Sequence, residues 1–287
     1  MIAAGQGGNF ERISALEALR PFPPVACALI ELINQEATDF REVSRLLLAD
    51  AAFSSQLLRV ANSALLGCRY QIKSILQALS VVGVDRLRAL VVTVALKQYL
   101  DEAGHGLLHR SWRHNLATAL WCEALAEYCN VDRALGYTAG ILHDIGRIAL
   151  LMLFPQEYEA FWAASREGGP CTLETERQCC QTDHCRVGQD LSIQWNFPPL
   201  LRDVIAHHHA RITPETPRLR LLVQAACKAA SMSGFACVGE PRSWAPDQIS
   251  AMLPRRQDVF HSQCEWLMET VAWKLNETEC GLMVEMA

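Results

Sequence analysis

The sequence predicts an all-α protein that consists of two packed helical lobes. Apolar residues recur with the helical period of about 3.6 residues along almost the whole chain, and no segment shows the strict alternation of a strand. Asp, Ser, Gly and Pro residues, which favour helix ends, separate the apolar segments at short intervals. With 287 residues, of which 51% are hydrophobic and 20% are charged, the chain can bury a substantial core.

The N-terminal lobe is expected over residues 14–100, after an N-terminal segment, 1–13. Its apolar segments predict helices at 25–33, 40–48, 51–65, 75–82 and 86–99. Asn62 is expected to cap or join helix ends, and two glycines within 101–106 predict a hinge after this lobe. Residues that start or cap helices precede the apolar segments, namely Pro23, Pro24, Asp39, Asp50, Ser74 and Asp85.

The C-terminal half is expected to contain a His-rich lobe over residues 107–235 and a helical extension over 236–287. Wide apolar faces predict long helices at 111–129 and 133–154. Pro198 and Pro199 suit the start of a helix at 200–209. Further helices are predicted at 219–233, 247–252 and 257–275, with a loop between the first two.

Composition and charge argue against several classes of protein. The net charge of -5 and the pI near 6.0 are unlike those of a dedicated nucleic-acid binder, which would carry a basic face. No apolar run reaches the roughly 18 residues of a membrane span, and residues 1–9 lack the features of a secretory signal. We therefore expect a cytoplasmic protein whose 12 cysteines stay reduced.

One apolar segment, residues 140–147, contains the adjacent metal-binding residues His143 and Asp144. Buried ionisable groups are costly unless they are hydrogen-bonded, paired or bound to a metal. Gly140 and Gly146 flank the pair, and because glycine costs about 1 kcal/mol relative to alanine inside a helix, they indicate close packing or ligand approach. Further candidate ligands lie at His114, His184, His207, His208 and His209.

Short motifs occur in order along residues 14–235. They include Phe22-Pro23-Pro24-Val25, Leu58-Arg59-Val60-Ala61-Asn62, His114-Asn115, His143-Asp144, Asp183-His184 and Trp195-Asn196-Phe197-Pro198. In these motifs the chain resembles the HDOD domain, a divergent relative of the HD and HD-GYP phosphohydrolases. The resemblance implies a C-terminal lobe of the HD-superfamily type and a bacterial-type signal-transduction role.

The resemblance also implies a set of ligands for a divalent transition metal, which could be iron, manganese, nickel or zinc. The implied ligands are His143, Asp144, His184, His208 and His209, with His114 and Cys227 at the edge of the site. Asp144 would bridge two cations that activate water for phosphodiester hydrolysis. In an active enzyme, Asp144 and Arg147 would be the catalytic residues. His207 is expected to lie on another face of its helix.

Two departures from the family pattern favour binding over catalysis. Cys227 stands where the HD pattern places its closing Asp, and the loss of that hard carboxylate weakens a two-metal site. Residues 209–218 contain no Gly-Tyr-Pro element, and Arg147 replaces a lysine. Arginine is a poor general acid because it keeps its proton above a pH of about 12.

The leading interpretation is therefore a regulatory module with a degenerate metal site, which binds a signalling protein partner or a small nucleotide-like ligand. A metal-dependent phosphohydrolase that acts on a nucleotide or a cyclic dinucleotide is the first alternative. The second alternative is a structural adaptor whose pocket is held by hydrogen bonds alone. The sequence leaves the oligomeric state open.

Overall fold

The computed structural model describes residues 19, 21–31, 40–49, 51–62, 71–101, 106–166, 172–237 and 244–283. Every regular element within these ranges is a helix, which confirms the predicted fold class. The N-terminal lobe contains α1 (Pro24–Glu31), α2 (Phe40–Leu48), α3 (Ala51–Ala61), α4 (Ile75–Val82) and α5 (Val84–Asp101). The His-rich lobe contains α6 (Gly106–Cys129), α7 (Arg133–Leu142), α8 (Ile145–Leu153), α9 (Pro155–Arg166), α10 (Leu173–Cys180), α11 (His184–Gln194), α12 (Pro199–His207) and α13 (Arg218–Met232). The extension contains α14 (Pro246–Ser250) and α15 (Gln257–Met283).

The predicted single helix over 133–154 is wrong. The chain turns at His143 and Asp144, where Asp144 has φ -109° and ψ 26°, and a new helix begins at Ile145. The turn lets α7 pack on α6 while α8 packs on α11, which one straight helix could not do. Residues 155–194, for which no helix was predicted, form α9, α10 and α11.

Some predicted features lie outside the described residues. These are the N-terminal segment, 1–13, and most of the predicted hinge, 102–105. The helix predicted over 51–65 ends at Ala61, and residues 63–70 are not described. Asn62 accepts a hydrogen bond from the Ile72 amide at 2.7 Å and donates to the Ile72 and Leu58 carbonyls at 2.7 and 2.8 Å. It therefore joins the end of α3 to the segment before α4.

Helix α5 forms the centre of the N-terminal lobe and also contacts the His-rich lobe. Its residues from Val91 to Leu96 are fully buried, and it packs on α1, α3, α4 and α7. Thr93 Oγ1 and the Tyr137 hydroxyl form a buried hydrogen bond of 2.9 Å between α5 and α7. The two lobes consequently share one continuous core.

Three aromatic side chains from two of the sequence motifs, together with Tyr99, close the contact between the lobes. Phe22 stacks on Trp195 with ring centres 5.3 Å apart and meets the edge of Phe197 at 6.0 Å. Tyr99, near the end of α5, packs edge-on against Trp195 at 5.7 Å. Such pairs add roughly 0.5–1.5 kcal/mol each beyond the burial of their area. The motifs that predict this fold therefore hold its two lobes together.

Helix α6 is the centre of the His-rich lobe. Trp112 and Trp121 are buried along it, and it packs on α7 and α13. The last helix, α15, lies against both α6 and α3, where Phe260 meets Tyr128 edge-on at 6.2 Å. The extension thus packs on helices from both lobes.

In the described part of the chain, no single helix has the length and apolar character that a membrane crossing requires. One sharply bent pair, Arg133–Leu153 with Pro155–Ala163, meets the length and composition criteria when its two parts, at 111° to each other, are taken together.

Candidate metal centre and ligand cleft

The turn between α7 and α8 places the His-Asp pair at the centre of the His-rich lobe. His143 ends α7, and Asp144 precedes α8 without capping it through its side chain. Each of the two residues is 1% exposed. Both side chains are therefore directed into a buried polar cluster rather than used to end the helices.

Three buried imidazoles are oriented in the same way. The Nδ1 atoms of His143, His208 and His114 lie 2.7, 3.0 and 2.8 Å from backbone carbonyl oxygens. We assign the ring proton to Nδ1, which donates to the carbonyl, so that Nε2 carries the lone pair. A hydrogen bond from the other ring nitrogen is the usual way in which proteins orient a metal-binding histidine.

His184 is oriented by a carboxylate instead. Its Nδ1 and its backbone amide both donate to Glu176 Oε2, at 2.6 and 2.8 Å. The other carboxylate oxygen, Oε1, accepts from the Tyr158 hydroxyl at 2.7 Å. This arrangement resembles the carboxylate–histidine–metal triad, in which the carboxylate fixes the ring and raises its basicity.

One oxygen of Asp144 and two imidazole nitrogens form a triangle that fits a single cation. The Nε2 atoms of His184 and His208 are 3.3 Å apart, and Asp144 Oδ1 lies 3.6 and 4.0 Å from them. The point equidistant from these three atoms lies about 2.1 Å from each, which matches metal–nitrogen and metal–oxygen bonds of about 2.0–2.2 Å. Asp144 Oδ1 is buried and has no hydrogen-bond partner among the described residues. These residues fit a transition-metal ion.

The other carboxylate oxygen of Asp144, Oδ2, already has protein partners. Arg147 Nε donates to Asp144 Oδ2 at 2.6 Å, and Cys237 Sγ lies 3.3 Å from the same oxygen. Arg147 Nη1 also donates to the Tyr158 hydroxyl at 2.8 Å and lies 3.8 Å from Glu176 Oε1. Arg147 is 4% exposed, so these contacts are made away from water.

The protonation states of the cluster follow from burial and from its charges. Burial, and then the neighbouring histidine, lower the pKa of His143 to about 3 and of His208 to about 4. Burial and Arg147 lower the pKa of His184, but Glu176, Cys185 and Asp144 together outweigh them and raise that pKa above its usual value. Burial would raise the pKa of Asp144, but Arg147 and His184 hold it well below its usual range. His143, His208 and Asp144 are therefore in the neutral and ionised forms that bind metals, whereas His184 would have to release a proton when a metal binds.

A group of thiols and imidazoles lies on the other side of His143. His114 Nε2 is 3.5 Å from Cys227 Sγ, and the ring centres of His114 and His143 are 5.3 Å apart. Cys227 and Cys237 are both buried. The cluster therefore contains sulfur as well as nitrogen and oxygen ligands.

A cavity of about 450 Å³ opens beside the histidines and leads to the surface. His209 is exposed at this cleft, with its ring centre 4.4 Å from that of His208 and 4.9 Å from that of His184. Lys228 Nζ lies 4.4 Å above the ring of Trp244. The lining of the cleft includes His208, His209, Arg211, Gln224, Lys228 and Trp244.

Comparison with known proteins identifies the family. The model of the HDOD domain matches residues 19–211. The chain belongs to the HDOD domain family. A crystal structure of an HDOD domain protein of unknown function from Geobacter sulfurreducens shares 21% sequence identity with a TM-score of 0.79, over 93% of this chain and 97% of that chain.

Two further crystal structures have similar folds. A candidate phosphohydrolase from Shewanella amazonensis is 21% identical with a TM-score of 0.70, over 96% of this chain and 98% of its own. A candidate signal transduction protein from Marinobacter aquaeolei is 18% identical with a TM-score of 0.74, over 95% of this chain and 66% of its own. An uncharacterized Treponema pallidum protein is 24% identical over 211 residues, and the match spans 70% of this chain and only 40% of that relative.

The HDOD domain brings the sequence-predicted site residues into one cluster. His143, Asp144, His184 and His208 form its centre, and His209 and Cys227 face the cleft. His114, which we expected at the edge, is 1% exposed and lies beside His143. His207 is exposed and instead interacts with Asp203 on its own helix.

Glu176, Tyr158 and Cys237 also belong to the cluster but were not predicted from the sequence. Glu176 lies on α10 and Tyr158 on α9, two helices that were not predicted either. Cys237 lies in a segment that we predicted to be a loop. Their role depends on long-range contacts with Arg147, His184 and Asp144, and no local spacing indicates such contacts.

Replacement of Glu176 by Gln in the HDOD domain is expected to lower metal affinity about 10–100-fold, the usual cost of losing a group that orients a ligand. The amide keeps the size of the side chain but removes the charge that supports His184. Glu174→Gln is the matched control, because Glu174 lies on the same helix and is exposed. Competition with a chromophoric chelator for Zn²⁺ or Mn²⁺ measures the effect. Equal affinities of the two variants would contradict a role of Glu176 in the metal centre.

Proposed function

We propose that this HDOD domain is a cytoplasmic signalling module that acts by binding a small anionic ligand or a protein partner at the cleft, and not by hydrolysis. The observation that carries the proposal is the hydrogen bond from Arg147 Nε to Asp144 Oδ2. It leaves only one oxygen of the carboxylate for a cation. A two-metal mechanism needs a ligand that holds both ions close together.

Arg147 also fails as a proton donor to a leaving group. It is buried, and although burial lowers the pKa of its guanidinium, Asp144, Cys237, Tyr158 and Glu176 together outweigh burial and raise that pKa above its already high value. General acids work best with pKa values near the operating pH. The residue that occupies the lysine position of the related hydrolases is thus suited to neutralise charge and not to transfer protons.

A transition metal would be held by Asp144, His184 and His208, with His209 beside them at the cleft. Iron, manganese, nickel and zinc all accept such nitrogen and oxygen ligands. When bound, the metal would supply a positive charge that attracts an anionic group of the ligand. Each of the three side chains is oriented by other protein groups, and on metal binding His184 Nε2 would give up its 3.3 Å contact with Arg147 Nη2.

The chemistry of the cleft favours an anionic ligand with an aromatic part. Arg211 and Lys228 contribute positive charge, and Trp244 contributes a flat apolar surface. Gln224 is 6% exposed, and its Oε1 has no hydrogen-bond partner among the described residues. A purine nucleotide offers the matching groups, namely a phosphate, a stacking base and N–H donors.

Binding can be tested with GMP as the probe, by titration calorimetry on wild type loaded with Mn²⁺. Substitution of Arg211 or Lys228 by Gln is expected to weaken binding at least about tenfold, because a charge-assisted hydrogen bond contributes about 1.5–3 kcal/mol. Arg186→Gln is the control, since Arg186 is exposed on α11 and is not among the residues that line the cleft. If GMP does not bind, or binds equally to all three variants, a nucleotide-like ligand at the cleft is excluded.

The retained histidines favour the alternative function, a metal-dependent phosphohydrolase. We expect no hydrolysis of a cyclic dinucleotide or of bis(p-nitrophenyl) phosphate with Mn²⁺ or Fe²⁺ above the rate of the Asp144→Ala variant. Turnover by wild type that Asp144→Ala abolishes would overturn the proposal and establish the enzyme. GMP binding without any turnover would support the proposal that the domain acts by binding.

A further inference from the structure

Helix α15 carries two tryptophans on its outer face. Trp266 and Trp273 are 60% and 50% exposed, whereas Trp112 and Trp121 of α6 are buried. Neither exposed indole forms a hydrogen bond or a ring contact with another described residue. Helix α15 also lies beyond residues 19–211, which match the family model. Exposed large apolar side chains that occur together, and not singly, mark interaction sites.

The two indoles lie in one line along the helix. Seven residues advance an α-helix by almost two full turns and about 10.5 Å, so Trp266 and Trp273 share one face. The opposite face attaches the helix to the protein, because Phe260, Leu267 and Leu275 are buried there and α15 packs on α6 and α3. The inner face thus fixes the helix and presents both tryptophans to solvent.

Acidic side chains lie beside the tryptophans. Glu269 is three residues after Trp266 and four residues before Trp273, spacings that place all three side chains on the same side of the helix. Glu265 directly precedes Trp266. Both carboxylates are exposed, and neither forms an ion pair with another described residue. The outer face of α15 therefore combines two large apolar side chains with unneutralised negative charge.

The charge of α15 decides which occupant fits this face. The helix contains five Asp and Glu residues, one lysine and no arginine. The lysine, Lys274, is already paired with Glu123 at 2.9 Å. A second copy would bring like charges together, and an anionic membrane or a nucleic acid would be repelled in the same way. A partner with basic residues beside apolar ones supplies the opposite charge.

We propose that the outer face of α15 is a docking surface for a basic amphipathic helix of another protein. A helix that packs at about 20° on α15 can present apolar residues with the same seven-residue spacing to both indoles. An arginine on that helix can pair with Glu269 or stack on the face of an indole. Tryptophan is among the residues that contribute most to binding at protein interfaces. The surface is separate from the cleft, whose lining includes neither Trp266 nor Trp273.

Fluorescence anisotropy with a labelled synthetic peptide tests the proposal on the full-length protein. The probe is an amphipathic helix of about 18 residues, or five turns, with leucines along one face and arginines on the other. The comparison peptide has glutamate in place of every arginine. We expect the arginine peptide to bind, and to bind more weakly as salt is added, because salt screens exposed charges. The glutamate peptide is expected not to bind.

Substitutions on α15 locate the binding. Trp266→Ala and Trp273→Ala are each expected to weaken binding of the arginine peptide at least about tenfold, as truncation of an interface hot spot does. Glu269→Lys should also weaken it, because like charges across an interface repel. Leu76→Ala is the matched control, since Leu76 is 60% exposed on another helix, α4. All four positions are exposed, so the urea unfolding midpoints should stay close to that of wild type.

Three results would overturn the proposal. They are failure of the arginine peptide to bind wild type, equal binding to wild type and both tryptophan variants, and binding of the glutamate peptide that depends on the tryptophans. Sedimentation velocity adds a second measurement: a wild-type dimer that either tryptophan variant converts to a monomer would make this face a contact between copies, and would also overturn it. GMP binding at the cleft does not involve α15, so either binding can fail while the other is observed.

Discussion

Gly146→Ala is expected to lower the free energy of unfolding by about 3 kcal/mol or more and to disrupt the metal centre. A Cβ atom at this position would lie 1.9 Å from the carbonyl oxygen of His184 and 2.5 Å from the amide nitrogen of Gly188. Both obstacles are backbone atoms, which cannot rotate away as a side chain can. Helices α8 and α11 would have to separate, and they carry Arg147 and His184.

Gly106→Ala is the matched control. A Cβ there meets no atom within 4 Å, and Gly106 is the first residue of α6. Alanine should change the stability by no more than about 1 kcal/mol, and in the stabilising direction, because it reduces the freedom of the unfolded chain. Urea unfolding followed by circular dichroism measures both variants. If Gly146→Ala were as stable as Gly106→Ala, the close contact between α8 and α11 would be refuted.

The two glycines beside the His-Asp pair were a signal that the sequence already contained. Because glycine is costly inside a helix, their presence indicates close packing. Gly146 does pack against the backbone of α11, and Gly140 packs against α6, where a Cβ atom added to Gly140 would lie 2.8 Å from the Cα atom of Ala119. The turn at His143 and Asp144 was not predicted, because apolar residues continue on both sides of it. Periodicity reports burial on one face, and it does not report a change of direction between two buried segments.

Helix α10 escaped prediction for a different reason. Residues 173–180 of α10 are mostly polar, so the apolar stripe that reveals a helix is weak there. Thr172 nevertheless caps α10 through the amide of Thr175, and Glu176 is buried on it. The buried side of this polar helix is marked by an acid, Glu176, so the helix can be recognised only when the partners of Glu176, His184 and Arg147, are known.

Asp144→Ala is expected to remove most of the metal bound between Asp144 Oδ1 and the Nε2 atoms of His184 and His208, and to lower the free energy of unfolding by about 3–5 kcal/mol. Asp144 is the residue that balances Arg147 at 2.6 Å, and breaking a buried pair leaves an uncompensated charge. It also supplies Oδ1, which is the oxygen corner of the triangle. Within the described residues, Glu176 is the other acid of the cluster, and its Oε2 is already bonded to His184.

Two further variants separate charge from packing. Asp144→Asn keeps the size of the side chain and should still lose the metal, because a neutral amide oxygen is a weaker ligand than a carboxylate. Asp203→Asn is the control: its contacts to His207 and Arg220, at 3.2 and 3.4 Å, are partly exposed, and such pairs contribute only about 0–1 kcal/mol. Urea unfolding and metal analysis of protein purified without an affinity-tag metal measure the two effects. If Asp144→Ala and Asp144→Asn kept wild-type metal content, the ion would be bound elsewhere, and the unpartnered Oδ1 would have no role in holding it.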